Sequence, residues 1–369
     1  MQQVSSGRFV YSNAVRARQA PYLIPDSRRR LVLALSLALG RSLAIGSASD
    51  AAAQAFPPVV QLSMLNGANG FRLDEAGVGE RFGGAVSAAG DVNGDGIDDL
   101  LIGAPLADPN GIDRAGRSYV VFGSRSGFAA TLNLSNLNGT NGFRLDGVAE
   151  LDRSGMAVSG AGDVNGDGID DLLIGAEYAD PNGLNSAGSS YVVFGSSSGF
   201  AASLNLSSLN GTNGFRLDGV AAGERSGTAV SAAGDVNGDG IDDLLIGAPR
   251  AGPNGVIWAG SSYVLFGNSS GFAATLNLGS LNGTNGFRID GVAADDRSGF
   301  AVDGAGDING DSIDDLLIGA PYADPNDNVQ SGSSYVVFGN SSGFAATLNL
   351  GSLDGAIGVR LDGVGSNDR

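Results

Sequence analysis

The side chains of this chain best suited to chemistry are short carboxylates and amides at alternating spacing. Asp91, Asn93, Asp95 and Asp99 hold positions 1, 3, 5 and 9 of the segment Asp91-Val-Asn-Gly-Asp-Gly-Ile-Asp-Asp99, and Ile97 at position 7 can offer its backbone carbonyl. A hard cation that seeks oxygen, calcium above all, needs that kind of donor set. Gly94 and Gly96 allow a turn tight enough to aim the oxygens at one centre. A helix-flanked calcium loop opens the same way but requires an acid at position 12, where this chain has Ile102 inside an apolar run. The competing reading is an Asx-turn, in which Asp and Asn accept only local hydrogen bonds. Four acids in nine residues would then repel one another with nothing to offset them.

The segment recurs. Asp163, Asn165, Asp167, Ile169 and Asp171 form a second copy, and Asp235, Asn237, Asp239, Ile241 and Asp243 a third. Asp307, Asn309, Asp311, Ile313 and Asp315 form a fourth, with Ser312 in place of glycine. The starts at 91, 163, 235 and 307 give a 72-residue period and up to four Ca2+ sites. Ser-Tyr-Val-Val-Phe-Gly keeps the register from Ser118, Ser190 and Ser334, with Leu265 as a variant in the third copy. Phe-Arg-Leu-Asp does so from Phe71, Phe143 and Phe215, as Phe-Arg-Ile-Asp from Phe287 and as Val-Arg-Leu-Asp from Val359.

Each loop needs strands to position it, and the repeat supplies four. Residues 83–89 are small and alternate, which suits an inner strand. Leu100–Ala104 is a continuous apolar run stopped by Pro105, as in a strand buried on both faces. Ser118–Phe122 is β-branched and aromatic, and Phe143–Asp146 closes the unit. Asp108-Pro-Asn-Gly111 is strong turn chemistry, and Leu132-Asn-Leu134 reads as an inserted hairpin. No stretch has the length and period of an amphipathic helix. The fold class is therefore all-β: β-propeller blades of four antiparallel strands in four repeats, over about 75–146, 147–218, 219–290 and 291–362.

Composition removes whole classes of function. The 369 residues include no cysteine and no histidine, which excludes disulfide scaffolds, thiolate zinc sites and imidazole general bases. The net charge of −18 speaks against nucleic acid as a partner. Much of that charge lies in the loops, which hold 16 acids. The charge is also unevenly spread. Residues 1–55 hold seven arginines against two aspartates, and Arg28-Arg29-Arg30 precedes the apolar run Leu31–Leu39. That pattern reads as a secretory leader ending near Ala55, too short to span a membrane. The mature part, 56–369, is then expected to be secreted, periplasmic or on a cell surface, and bacterial in origin.

Phe82-Gly83, the loop Asp91–Asp99 and Gly103-Ala104-Pro105 together resemble FG-GAP repeats, the blades of the integrin-alpha-type β-propeller. Later copies depart from the pattern, with Ser154-Gly155, Ser226-Gly227 and Ser298-Gly299 for Phe-Gly and Gly175-Ala176-Glu177 for Gly-Ala-Pro. The resemblance implies a calcium-binding, non-enzymatic adhesion or interaction module with a protein or glycan ligand at a surface. It also admits an accessory propeller of a phospholipase-like secreted hydrolase, or a fragment of a larger surface protein. Glu80-Arg81, Asp152-Arg153, Glu224-Arg225, Asp296-Arg297 and Asp368-Arg369 read as blade-to-blade ion pairs, and Trp258 as drift or a ligand contact on a variable loop. The Phe71–Asp74 strand is one more than four blades require. An open arc, part of a larger ring of about seven blades and prone to self-association, is expected over a closed four-blade ring.

Overall fold

The computed structural model describes residues 61–367 apart from 75, 76 and 78, so the expected leader lies outside the described residues. Strands and short 3-10 turns make up its regular structure. In the first full sheet, Ala85–Gly90, Asp99–Ala104, Arg117–Val121 and Gly142–Asp146 pair antiparallel in chain order. The three sheets that follow repeat this order from Ala157, Ala229 and Ala301.

The Leu-Asn-Leu segment is not a hairpin of its own blade. Ser203–Asn205 runs parallel to Arg144–Asp146 and becomes the fifth strand of the preceding sheet. Thr275–Asn277 does the same on Arg216–Asp218, and Thr347–Asn349 on Arg288–Asp290. The extra strand is explained by the same pairing. Arg72–Asp74 holds Thr131–Asn133 in a two-stranded parallel sheet, with Leu73 opposite Leu132. It does not lie beside the fourth blade. Each lent strand ends in a 3-10 turn capped by its asparagine; Asn133 Oδ1 accepts from the Ser135 N–H at 2.8 Å.

Sheets stack face to face, and the core sits between them. Leu101, Val120, Phe143 and Leu145 of the first sheet cluster with Leu172, Ile174, Tyr191 and Val193 of the second. The same set of positions joins the second sheet to the third and the third to the fourth. The Phe-Arg-Leu-Asp phenylalanine stacks on the phenylalanine that precedes the lent strand, as Phe143 does on Phe200 at 4.2 Å. One residue beyond the equivalent phenylalanine of the second blade, Phe215, Arg216 pairs with the buried Asp218 at 2.6 Å.

Small residues let the inner strands approach. Ala85–Gly90 packs on Ala157–Gly162, which packs on Ala229–Gly234, which packs on Ala301–Gly306. The first and last do not pack together in this way, although all four line one groove of about 370 Å³. Val86 is 69% exposed, whereas its counterparts Val158 and Val230 are 9% exposed. The four blades form an open arc.

Candidate metal centre

A β-bulge puts each loop in place. The pairing of inner and second strands slips by one residue between Ala88 and Gly90, where Gly90 takes φ 73°. The chain leaves the bulge into the loop, and Asp91 turns back over it. The Asp91 carboxylate accepts from the N–H groups of Asp95 at 3.0 Å and Gly96 at 2.6 Å, and Asn93 Oδ1 also accepts from Asp95 N–H at 3.0 Å. Positions 1 and 3 therefore face the same point. Position 5 bends onto its own backbone in the later loops; Asp167 and Asp239 each accept from the N–H two residues on at 3.0 Å.

Position 9 is different in kind. Asp99, Asp171 and Asp243 begin the second strand and are fully buried. Asp99 accepts from the Val92 N–H at 3.2 Å and the Gly123 N–H at 2.8 Å, which ties the loop to the turn after the third strand. Burial holds the Asp99 carboxyl up at about 6 and those of Asp171 and Asp243 at about 8. The charges of positions 1 and 5 in the same loop push in the same direction. A cation between these groups would oppose all of that. Each carboxylate oxygen bonded to an N–H keeps a further lone pair for it.

The donor set thus suits a hard cation, oxygen-only with one neutral amide. Among the described residues, however, no three acidic side chains stand close enough to hold an ion by themselves. Asp91 and Asn93 share the Asp95 N–H, whereas Asp99 bonds to the Val92 and Gly123 N–H groups; in the second loop Asp163 and Asn165 share the Asp167 N–H, and Asp171 bonds to those of Val164 and Gly195. Of the position 7 residues, Ile97, Ile169, Ile241 and Ile313, the side chain packs against the glycine after the third strand, as Ile97 does against Gly123. In the fourth loop Asp307, Asn309 and Asp311 are exposed, and only Asp315 is buried. Ser312 there adopts φ 72°, which the other copies give to glycine.

Sequence reasoning missed the acid at position 8. Asp170 Oδ2 accepts from the Asp91 N–H of the preceding loop at 2.8 Å, Asp242 from Asp163 at 2.8 Å and Asp314 from Asp235 at 2.9 Å. The Ser196 N–H adds a bond to Val92 O at 2.9 Å. Three loops are therefore braced by the blade that follows. A period-spanning search for acids beside the ligand positions would have marked these residues, but not their direction.

The Asp/Glu-Arg pairs do not form blade-to-blade ion pairs. The acid is buried in its own blade: Glu80 accepts from the Tyr119 hydroxyl at 2.9 Å, and Asp152 caps the Ala149 N–H at 3.2 Å. Arg153, Arg225 and Arg297 stack on aromatic rings instead. Tyr178 lies between Arg153 at 4.5 Å and Arg225 of the next blade at 4.4 Å. Trp258 fills that role in the third blade, where position 250 is arginine: Arg250 and Arg297 lie 5.7 and 5.4 Å from its ring. Asp368-Arg369 lies outside the described residues.

The FG-GAP repeat family matches this chain four times, at 82–121, 154–193, 226–265 and 298–337. Each match starts at the Phe-Gly or Ser-Gly step, contains one loop and ends in the third strand. Integrin alpha-PS2 of Drosophila melanogaster is 32% identical over 269 residues, 72% of this chain and 17% of that protein. Integrin alpha-4 of Xenopus laevis is 31% identical over 188 residues, covering 51% and 16%. Phosphatidylinositol-glycan-specific phospholipase D of Bos taurus is 32% identical over 228 residues, covering 59% and 25%. Repeats, fold and relatives agree on the class: a β-propeller built from blades with acidic loops. The chain is an FG-GAP repeat protein of the integrin-alpha type. It spans a quarter or less of these three relatives.

Proposed function

We propose that this chain is a calcium-stabilised interaction module that works outside the cytoplasm and presents a rigid surface to a protein or glycan ligand. The observation that carries the reading is the buried carboxylate that ends each loop, Asp99, Asp171, Asp243 and Asp315, in the same nine-residue segment as the side-chain oxygens of positions 1, 3 and 5. Those residues would hold the ion. The ion would supply charge compensation, and its binding free energy would add to that of folding. A non-enzymatic role is supported by a chain without histidine or cysteine.

Melting the chain with and without a chelator tests this reading. Calcium at a hundredfold excess over its dissociation constant should add about 2.7 kcal/mol per site. Chelation should therefore lower the Tm, and calcium but not magnesium should restore it. Melting that ignores the chelator would refute the reading. A second reading, an accessory propeller of a secreted hydrolase, is favoured by the match to phosphatidylinositol-glycan-specific phospholipase D. Co-purification with a hydrolase chain would support it.

A further inference from the structure

Each internal blade junction repeats one interface. The Ser154-Gly155 step of the second blade sits in a notch of the first, so close that a Cβ on Gly103 or Gly116 would collide with its backbone oxygens. Ser226-Gly227 fills the same notch at Gly175 and Gly188, and Ser298-Gly299 at Gly247 and Gly260. Beside the notch, the following repeat lends its strand in fixed register, with Arg opposite Thr or Ser, Leu or Ile opposite Leu, and Asp opposite Asn.

The fourth blade presents all of this with no partner among the described residues. Its notch, between Gly319, Gly332 and Leu361, is an open cavity of about 340 Å³. Gly358–Asp362 is paired on one side only, to Ser333–Val337. Leu361 is 57% exposed, while its counterparts Leu145, Leu217 and Ile289 are fully buried. The first blade presents the opposite half. Phe82-Gly83 stands where Ser154-Gly155 stands in the next blade, with Gly83, Val86 and Leu100 exposed beside it. The Phe82 ring lies edge-on to Tyr119 of its own blade at 5.9 Å, which leaves the backbone step free to enter a notch.

We propose that the fourth blade docks the first blade of a second copy of this chain, head to tail. The Phe82-Gly83 step enters the notch at Gly319, and Thr131–Asn133 adds to Arg360–Asp362 as a parallel strand. The chain already makes this interface three times within itself, which is why the occupant is a copy and not an unrelated partner. Thr131–Asn133 must first leave Arg72–Asp74. Among the described residues that three-residue strand has no second neighbour, whereas Arg360–Asp362 is fixed by a full antiparallel strand. Docking is therefore a strand exchange. The contact is heterologous, using different patches on the two copies. It needs no cation, so its failure and that of the calcium reading are separable.

Sedimentation velocity of the full chain across a wide concentration range, in calcium buffer, tests the proposal. The wild-type chain should self-associate. Gly319→Ala should weaken association by about tenfold or more, which is about 1.4 kcal/mol, without lowering the Tm. The added methyl would meet only Ala301 atoms at 3.5 and 3.6 Å inside its own copy, yet it would block the notch. Leu73→Asp, which frees Thr131–Asn133, should strengthen association. The chain has no cysteine, so the double variant Leu132→Cys with Leu361→Cys offers a single disulfide, expected between copies. A chain monomeric at every concentration, association indifferent to Gly319→Ala, or a disulfide closed within one copy would each overturn the proposal.

Discussion

Asp170 reaches across a blade boundary to Asp91. Its Oδ2 accepts the Asp91 N–H at 2.8 Å, although the residues lie 79 apart in sequence. The same contact fixes the bulge, since Gly90 has no room for a side chain beside the Asp170 carboxylate. A loop that looks self-sufficient in sequence is thus shaped from outside, and the fourth loop lacks that brace among the described residues.

Asp170→Ala should weaken calcium binding at the first loop while leaving the other sites intact. A hydrogen bond to a charged acceptor contributes about 1.5–3 kcal/mol, less here because the pair is only partly buried. Asp98→Ala, at the same loop position but with no earlier loop to brace, should change little. Calorimetric titration of calcium into both variants distinguishes them.

The fourth loop should be the weakest site. Asp311→Ala is expected to lower the Tm less than Asp95→Ala. Ser312→Gly should stabilise by up to about 1 kcal/mol, because the left-handed conformation costs an L-residue about 1–2 kcal/mol and glycine returns part of that in chain entropy. Urea unfolding of the three variants gives the order.

Glycine in the notch should matter at internal junctions only. Gly247→Ala forces a methyl into the Gly299 carbonyl oxygen and should cost about 1–3 kcal/mol, as overpacked cores do. Gly319→Ala meets nothing closer than 3.5 Å and should be close to neutral in dilute monomer. Equal losses for both variants would contradict the junction described here.

Without metal, stability should fall as pH rises. Burial raises the carboxyls of Asp99 and Asp152 to about 6, and those of Asp171 and Asp243 to about 8, from 3.8. The fold then holds protons that the unfolded chain releases, so this contribution is full below about pH 4 and is lost by pH 8. Calcium should reverse the trend between pH 6 and 8, because it favours the ionised loop carboxylates. Tm against pH, with calcium and with chelator, should give curves of opposite slope over that range.

Much of this was legible in the residues. The period of the Asp91 segment gave the four units, and alternating small residues against the run Leu100–Ala104 placed the inner and second strands to within two residues. What failed had no local signal. Thr131–Asn133 is too short to show which sheet it joins, since pairing with Arg72–Asp74 depends on blade stacking and not on pattern. Arg225 beside Glu224 suggested an ion pair because charges attract on paper. The left-handed φ of 56° at Arg225 turns its guanidinium onto Tyr178 instead. The loops were legible as donor sets, but the direction of Asp170 was not.

Because each repeat completes the sheet before it, the stretch that is duplicated and the stretch that folds are not the same. A 72-residue copy inserted anywhere in the series would find upstream a matching edge for the strand it lends, and would offer a matching edge to the strand lent from downstream, since every junction carries the same register. A gene built this way can lengthen or shorten by whole repeats with no new interface to evolve. A single repeat cut from its neighbours, by contrast, would carry one strand with nowhere to go and one edge with nothing to cover it.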